Sequence, residues 1–324
     1  MNILLIGFGS IGRRHYNNLI KLNHQNISLV RRNATPVDNC PVYGSIKEAC
    51  SNHTFSHAVI ATPTALHSES FFELLSYGVP NIYLEKPVCE SLEKAEQMEQ
   101  IAREKGTHVV VGYDLHFDPG LNKIRELMQK PEFSRPLSFQ SEVGQYLPDW
   151  RPSEDYREGM SAKKAMGGGV MLDLIHEFDY IQWMFGSVIS VYGIHKQSSS
   201  LEIETEDVSI TLLETHSGVV GSIYLDYLQK ELARSCKIVF DKGTILWNYA
   251  KSEVQWMTHK EPEWSTYTYM EFERNDRFLA IMRAFMESTL HEDPRLTDLS
   301  QGIHSMKIVE AAKKSNKERK CIEI

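Results

Sequence analysis

Cysteine is scarce in this chain: five residues in 324 (Cys40, Cys50, Cys89, Cys236 and Cys321), scattered, odd in number and without a C-x-x-C pair. Such usage argues against a disulfide framework or a structural zinc site and points to a reducing compartment. Long apolar runs are missing too, since none approaches the roughly 18 residues that a membrane span requires. Positive charge is not in excess. The formal net charge is −8, whereas nucleic-acid binding normally needs a basic face. The small clusters Lys163-Lys164 and Lys313-Lys314 read as solvated helix surface. There is no internal repeat and no low-complexity stretch. With the first apolar strand starting at Asn2, no signal peptide precedes it, and the expectation is a cytoplasmic protein that binds neither membrane nor nucleic acid.

What is present is ordinary for a globular protein: 42% hydrophobic and 24% charged residues. The length suits two domains better than one core. Apolar runs at 2–6, 27–30, 56–61, 81–84 and 109–111 read as strands, and helical patterns at 11–21, 67–77 and 92–105 lie between them. Alternation of this kind predicts an α/β class with a doubly wound parallel sheet and right-handed crossovers. The pattern changes after about residue 118. A helix at 121–129 is followed by strands at 137–143, 208–213, 219–227 and 236–240, with turns at His216-Ser217-Gly218 and Asp241-Lys242-Gly243. Consecutive strands predict a large, mainly antiparallel sheet. Helices at 276–290 and 300–314 close the chain. The predicted domains are 1–118, for a dinucleotide, and 119–324, for substrate and oligomerisation.

The loop Gly7-Phe8-Gly9-Ser10-Ile11-Gly12 follows the first strand and opens the first helix. A glycine-rich turn alone is weak evidence, but here the G-x-G-x-x-G sits where the dinucleotide fingerprint requires it. Gly7 permits the tight turn, Gly9 lets the backbone approach the diphosphate, and Gly12 permits close helix–strand packing. The diphosphate would accept hydrogen bonds from free N–H groups at the helix N-terminus. NAD-specific folds place an acid at the end of the second strand to bind the ribose 2′-hydroxyl. This chain has Val30-Arg31-Arg32-Asn33 there and no acid. A guanidinium can grip a 2′-phosphate that a carboxylate would repel, so NADP is expected over NAD, although both arginines also suit plain solvent exposure.

GFGSIGRRH (7–15), ATPTALH (61–67), Glu85-Lys86-Pro87 and GGGVMLDLIHEFDY (167–180) occur in the order seen in the Gfo/Idh/MocA family, which the chain resembles over essentially its whole length. That family is named for glucose–fructose oxidoreductase, inositol dehydrogenase and a rhizopine catabolism protein. The stretch VGQYLPDWRPSEDYREGMSAKKAMGGG (143–169) is similar to a bacterial subgroup associated with nonulosonic (sialic-acid-like) and other surface-sugar biosynthesis. The resemblance implies a Rossmann domain followed by an α/β domain whose open sheet forms the substrate floor and often an oligomer interface, so a homodimer or homotetramer is expected. It places Ser10, Ile11, Thr62, Pro63, His67 and Glu85 with the glycines and arginines at the cofactor. Lys86 is implied to lie near the nicotinamide and to contact the reacting hydroxyl, with Pro87 setting a turn that is commonly cis in this family. Relatives often show Asn and Arg where this chain has Asp114 and His116, which puts the usual contacts from those positions in doubt.

Oxidation of an alcohol by a nicotinamide needs a proton taken from oxygen while a hydride leaves carbon. Histidine suits the proton step near neutral pH, and His176 is the candidate. Asp173, three residues earlier, shares a helical face with it and can orient the imidazole or bind a substrate hydroxyl. Many relatives space this pair by four, so the division of roles between the two is open. Lys86 would polarise the oxygen. Asp173, His176 and Asp179 have a spacing that also permits a metal, but the family implies metal-free hydride transfer and no metal is assigned. Tyr146, Asp149, Trp150, Arg151, Tyr156 and Arg157 form a polar–aromatic stretch able to stack on a sugar or base and pair with phosphate or carboxylate; any one of them reads equally well as surface loop. Tyr113 begins the crossover into the second domain and is expected to border the nicotinamide.

The expected function is hydride transfer between NADP or NAD and a sugar, nucleotide sugar or related polyol. Alternatives on the same fold are redox-neutral epimerisation or glycoside cleavage with a retained cofactor, and a non-catalytic cofactor-sensing regulator. Lys86, Asp173 and His176 argue against the last, because a sensor needs no acid/base pair.

Overall fold

The apolar runs at the start of the chain become short parallel strands with no solvent face, as a sheet covered on both sides requires. The computed structural model describes residues 1–33, 35–37, 40–287 and 293–324. It divides into two compact units, Met1–Asp114 with Arg274–Ile303, and Leu115–Glu273 with His304–Ile324.

The first unit runs β1 (Ile3–Ile6), α1 (Ser10–Lys21), β2 (Ile27–Val30), β3 (Val42–Tyr43), α2 (Ile46–Asn52), β4 (His57–Ile60), α3 (His67–Ser76), β5 (Asn81–Leu84), α4 (Leu92–Lys105) and β6 (His108–Val111). Its sheet has the order β3-β2-β1-β4-β5-β6, all parallel. The order reverses between β1 and β4, the switch point at which doubly wound sheets bind ligands. Every residue of β1, β2 and β4 is buried. The short α2 was not anticipated from sequence. It is set by a reciprocal cap in which Ser45 Oγ accepts from Glu48 N at 3.1 Å and Glu48 Oε2 accepts from Gly44 N at 2.8 Å. At the other end of a helix, Gly106 stops α4 in the left-handed region.

The second unit continues with α5 (Pro119–Met128), β7 (Pro136–Gly144), α6 (Val170–Asp173), α7 (His176–Phe185), β8 (Val188–Lys196), β9 (Val208–Thr215), β10 (Val220–Asp226), β11 (Ala233–Phe240), β12 (Gly243–Asn248), β13 (Glu253–Thr258) and β14 (Ser265–Thr268). After α8 (Arg274–Glu287) and β15 (Thr297–Asp298) come α9 (Leu299–Glu318) and β16 (Ile322–Glu323). Nine strands form one sheet in the order β14-β13-β12-β11-β7-β10-β9-β8-β16, antiparallel except where β10 runs parallel to β7. Burial alternates along β9, with Ser209, Thr211, Leu213 and Thr215 inward and Ile210, Leu212 and Glu214 outward. The outward face is unusually apolar for an exposed one: Ile194, Ile210, Leu212 and Val220 are 42%, 42%, 52% and 49% accessible.

Two departures from the sequence reading concern the chain path. The boundary falls at 114/115 instead of 118/119, and the chain later returns to the first unit. There α8 buries Phe278, Ile281, Met282 and Phe285, and β15 adds an antiparallel edge strand beside β6. A helical pattern announces a helix but not the core that it will join. Of the helix expected over 276–290, the part to Glu287 is present and 288–290 lie outside the described residues. Among the described residues no helix is long and apolar enough to cross a membrane, and all five cysteines carry free thiols.

Candidate active site

In the first unit the glycine loop leaves β1 with Gly7 at φ +93°, and a Cβ there would lie 2.5 Å from the Ala61 carbonyl oxygen at the end of β4. A Cβ on Gly12 would meet the Gly7 oxygen at 2.2 Å. Both therefore serve close packing. Gly9 differs, because a Cβ on it would meet nothing within 4 Å. It stands at the N-cap of α1, where a glycine offers the first helix amides no side-chain acceptor. Thr62 Oγ1, on the loop after β4, is buried and has no hydrogen-bond partner among the described residues. Open space over Gly9, uncapped helix amides and an orphaned hydroxyl fit a nucleotide diphosphate at this loop.

Arg31 is half-buried and Arg32 exposed. The Arg31 guanidinium lies 5.6 Å from the centre of the Phe8 ring, and that of Arg13 lies 5.6 Å from it as well.

The turn carrying Lys86 follows β5, next to the glycine loop's neighbour β4 in the sheet. The Lys86–Pro87 peptide is cis. Lys86 is half-buried while its neighbours Glu85 and Pro87 are buried. Glu85, expected at the cofactor, is committed to His15 on α1, with Oε1 2.6 Å from the ring Nε2. His67, expected at the cofactor too, faces main-chain carbonyls with both nitrogens: Nδ1 lies 2.9 Å from Pro87 O and Nε2 2.9 Å from Thr62 O. Burial pushes its pKa down, against the pull of those carbonyls. Tyr113 is fully buried. Asp114 is paired with Arg277 of α8 inside the same unit; an aspartate in place of the usual asparagine thus has its own buried cation.

In the second unit the run after the glycines is not one helix. Asp173 ends α6 and His176 begins α7, because Leu174 leaves helical geometry (φ −102°, ψ 26°). The shared helical face expected from sequence is replaced by two consecutive helix ends. Tyr227, fully buried just after β10, donates to Asp173 Oδ2 at 2.6 Å. Burial pushes the Tyr227 hydroxyl far above its ordinary range, and the Asp173 charge adds to the effect. Glu206 lies where a Cβ of Gly169 would be, 2.5 Å from that position, and accepts from Met171 N at 3.3 Å. Burial raises its carboxyl pKa, with Asp173 contributing.

The other acids of this run are already engaged. Glu177, fully buried, takes two hydrogen bonds from Arg234, at 2.9 and 3.1 Å. Asp179 lies 2.8 Å from His116 Nε2. The His116 ring stacks on Trp183 at 4.1 Å, and Arg125 sits over the same indole at 4.1 Å. His116 is thus buried between the Asp179 carboxylate and the Trp183 indole. Among the described residues no three His, Cys, Asp or Glu side chains are arranged to hold a metal ion.

The polar–aromatic stretch is a loop of short 3-10 turns beginning at Leu147. Trp150 donates to Gln145 O at 3.1 Å and meets Tyr227 edge-on, with centroids 5.3 Å apart. Lys230 Nζ stands 2.9 Å from the centre of the Tyr146 ring. Tyr156 Oη accepts from Glu202 N at 3.3 Å. Arg157 is gripped by Asp155, whose carboxyl it holds down to about 2, and Arg151 faces Glu154 at 3.6 Å. Asp149 is exposed. Trp150 is linked to the candidate Asp173 through Tyr227. Sequence reasoning missed Tyr227, His15 and Glu206, whose partners are 54, 70 and 35 residues away.

The family model described as "Oxidoreductase family, NAD-binding Rossmann fold" matches residues 1–113, and that described as "Oxidoreductase family, C-terminal alpha/beta domain" matches 125–324. The chain belongs to the Gfo/Idh/MocA oxidoreductase family. Its match to the oxidoreductase YrbE of Bacillus subtilis is 25% identical over 232 residues, 68% of this chain and 65% of that protein, just under two thirds of the relative's length. Inositol 2-dehydrogenase of Corynebacterium glutamicum is 24% identical over 261 residues, 75% of this chain and 72% of its own. Among solved structures, the WlbA dehydrogenase of Bordetella pertussis, in complex with NADH and UDP-GlcNAcA, superposes with a TM-score of 0.82 at 20% identity, covering 100% of this chain and 98% of that one. In this Gfo/Idh/MocA chain the two halves of the family's fold are both present, and the residues expected to carry chemistry divide between them: the glycine loop and Lys86 in the first unit, Asp173 and His176 in the second.

Proposed function

We propose that this protein transfers a hydride between a nicotinamide dinucleotide, preferably NADP, and a hydroxyl-bearing or keto carbon of a sugar, nucleotide sugar or related polyol. One observation carries the reading: a carboxylate and an imidazole, Asp173 at the end of α6 and His176 at the start of α7, stand at consecutive helix ends with the carboxylate fixed by Tyr227. Bound nicotinamide supplies the hydride acceptor or donor. His176 takes the proton of the substrate hydroxyl on a ring nitrogen, or returns it in the reverse direction. Asp173 orients that imidazole or a second substrate hydroxyl, and the Lys86 ammonium polarises the reacting oxygen. Trp150, Tyr146, Tyr156 and the arginines 151 and 157 recognise the sugar and what it carries.

The preference for NADP rests on Arg31 and Arg32 in place of an acid, with Arg31 brought up to Phe8 at the edge of the glycine loop. The free thiols support a reducing cytoplasm. The apolar outward face of the second unit's sheet supports a homodimer or homotetramer.

The experiment is a screen of myo-inositol, UDP-GlcNAcA, other UDP-sugars and acidic sugars with NADP and NAD. Turnover is followed in the reduced-nicotinamide band and product formation independently. At least one substrate should generate absorbance, and His176→Ala should abolish it while NADPH still binds. A product formed without any net absorbance change places the protein with redox-neutral enzymes. Full turnover in His176→Ala removes the acid/base assignment.

A further inference from the structure

Lys86 stands between two residues whose positions are set by buried histidines from two different helices. On one side, the Glu85 carboxylate meets His15 Nε2 at 2.6 Å, and the His15 ring is fully buried. That ring is wedged edge-on against Tyr83, with centroids 5.1 Å apart, and against Phe278 at 6.4 Å. On the other side, His67 Nδ1 faces Pro87 O at 2.9 Å and Val88 O at 3.3 Å. Its Nε2 reaches Thr62 O at 2.9 Å, on the loop that follows the neighbouring strand β4. The main chain at Glu85 is tied to that strand as well, since Glu85 N donates to Ile60 O at 3.0 Å.

We propose that His15 and His67 are positioning residues that clamp the chain on both sides of Lys86 and so aim its ammonium group. The inference rests on the reading of Lys86 as the group at the nicotinamide and reacting oxygen. A lysine side chain has four rotatable bonds, so the direction of its root decides which volume the ammonium samples. His15 acts from the same helix whose N-terminus receives the diphosphate, three residues beyond Gly12. His67 acts from the start of α3, wedged between the loops after β4 and β5 with its one N–H given to one carbonyl at a time, outside the carboxyl ends of the strands where doubly wound folds bind ligands. A lysine turn anchored by one contact can rock, whereas two contacts on opposite sides leave one orientation.

Two readouts test this in the full chain. In protein whose lysines are reductively methylated with carbon-13 formaldehyde, the Lys86 signal, assigned by its loss in Lys86→Arg, is followed by NMR without cofactor. The expected result is a resolved Lys86 signal that moves into the exposed-lysine envelope in His15→Ala and in His67→Ala, and returns in His67→Gln, which keeps an amide donor. Should His15→Ala not fold, Glu85→Gln reads the same arm, because it removes the charge and keeps the shape. An unmoved Lys86 signal in folded variants overturns the clamp. Separately, NADH and ADP-ribose are titrated by calorimetry. The Kd of NADH should rise about fivefold to tenfold in the histidine variants, the size of one lost hydrogen bond, while ADP-ribose, which lacks the nicotinamide, binds as before. A moved Lys86 signal with NADH and ADP-ribose equally unaffected upholds the clamp and removes Lys86 from the nicotinamide.

Discussion

Tyr227 donates a 2.6 Å hydrogen bond to Asp173 Oδ2 from a position with no solvent exposure. Trp150 of the polar–aromatic loop covers its ring edge-on, and Leu147 N at the start of that loop donates to the Tyr227 carbonyl at 3.0 Å. One tyrosine thus touches both Asp173, of the proposed acid/base pair, and the loop proposed to recognise the sugar.

Tyr227→Phe removes the hydroxyl and keeps the packing. A hydrogen bond to a charged acceptor contributes about 1.5–3 kcal/mol, so turnover on the substrate found by the screen should fall roughly tenfold to a hundredfold. NADPH affinity should stay within twofold, since the cofactor loop belongs to the other unit. Steady-state kinetics with a binding titration checks both, and unchanged kcat in a folded variant removes Tyr227 from the mechanism.

The glycine loop predicts opposite outcomes for two neighbouring substitutions. Gly12→Ala drives a Cβ into the Gly7 carbonyl oxygen, 2.2 Å away, and rigid backbone cannot yield cheaply. Its melting temperature should fall by several degrees, with overpacking costing about 1–3 kcal/mol. A Cβ on Gly9 meets nothing, so Gly9→Ala should melt like the parent but bind NADPH at least tenfold more weakly. Thermal scans of both variants with and without NADPH separate the two effects; parental affinity in Gly9→Ala would mean that the diphosphate lies elsewhere.

How much of this was legible in the sequence depends on how local each feature is. The glycine loop and five of the six parallel strands follow from adjacent residues, whereas the two-residue β3 was too short to announce itself and the cis turn at Pro87 was an expectation from the family resemblance alone. The antiparallel second sheet was visible in outline from its turns. The break at Leu174 was not, because apolar periodicity continues across 170–185 as it would in one helix. His67 looked like a ligand contact because its neighbours belong to a ligand-binding motif, yet its two nitrogens face Thr62 and Pro87 carbonyls. The pairs Asp114–Arg277, Glu177–Arg234 and Asp173–Tyr227 join residues far apart in the chain. No periodicity or spacing encodes such partners; only the fold brings them together.

Arg31 offers a test of cofactor choice. Its guanidinium lies beside Phe8, and no acid stands at the end of β2. Arg31→Ala should weaken NADPH about tenfold or more, the scale of one charge-assisted contact to phosphate, and leave NADH within twofold. Fluorescence titration of both reduced cofactors decides. Equal losses for the two would assign Arg31 to a part of the dinucleotide that they share.

The acid side of the stability curve should carry the mark of His57. Burial, with repulsion from His24, His108 and the N-terminal amine, lowers its pKa from 6.5 to about 4, and its ring packs edge-on against Phe285 at 5.4 Å. A histidine whose folded pKa is depressed favours the neutral form in the native state. Above pH 6.5 both states are neutral there and nothing changes. As pH falls from 6.5 towards 4, the unfolded chain takes up the proton and the native chain does not, so stability is lost across that window, by about 3 kcal/mol for this one group. Burial lowers His67, His195 and His304 in the same direction, so His57→Gln should flatten the acid limb without abolishing it. Melting temperatures at pH 7.5, 6 and 5, on the order of two points within the window and one above it, measure the slope. An acid limb as steep in His57→Gln as in the parent would show that His57 is already charged, or already solvated, in the folded protein.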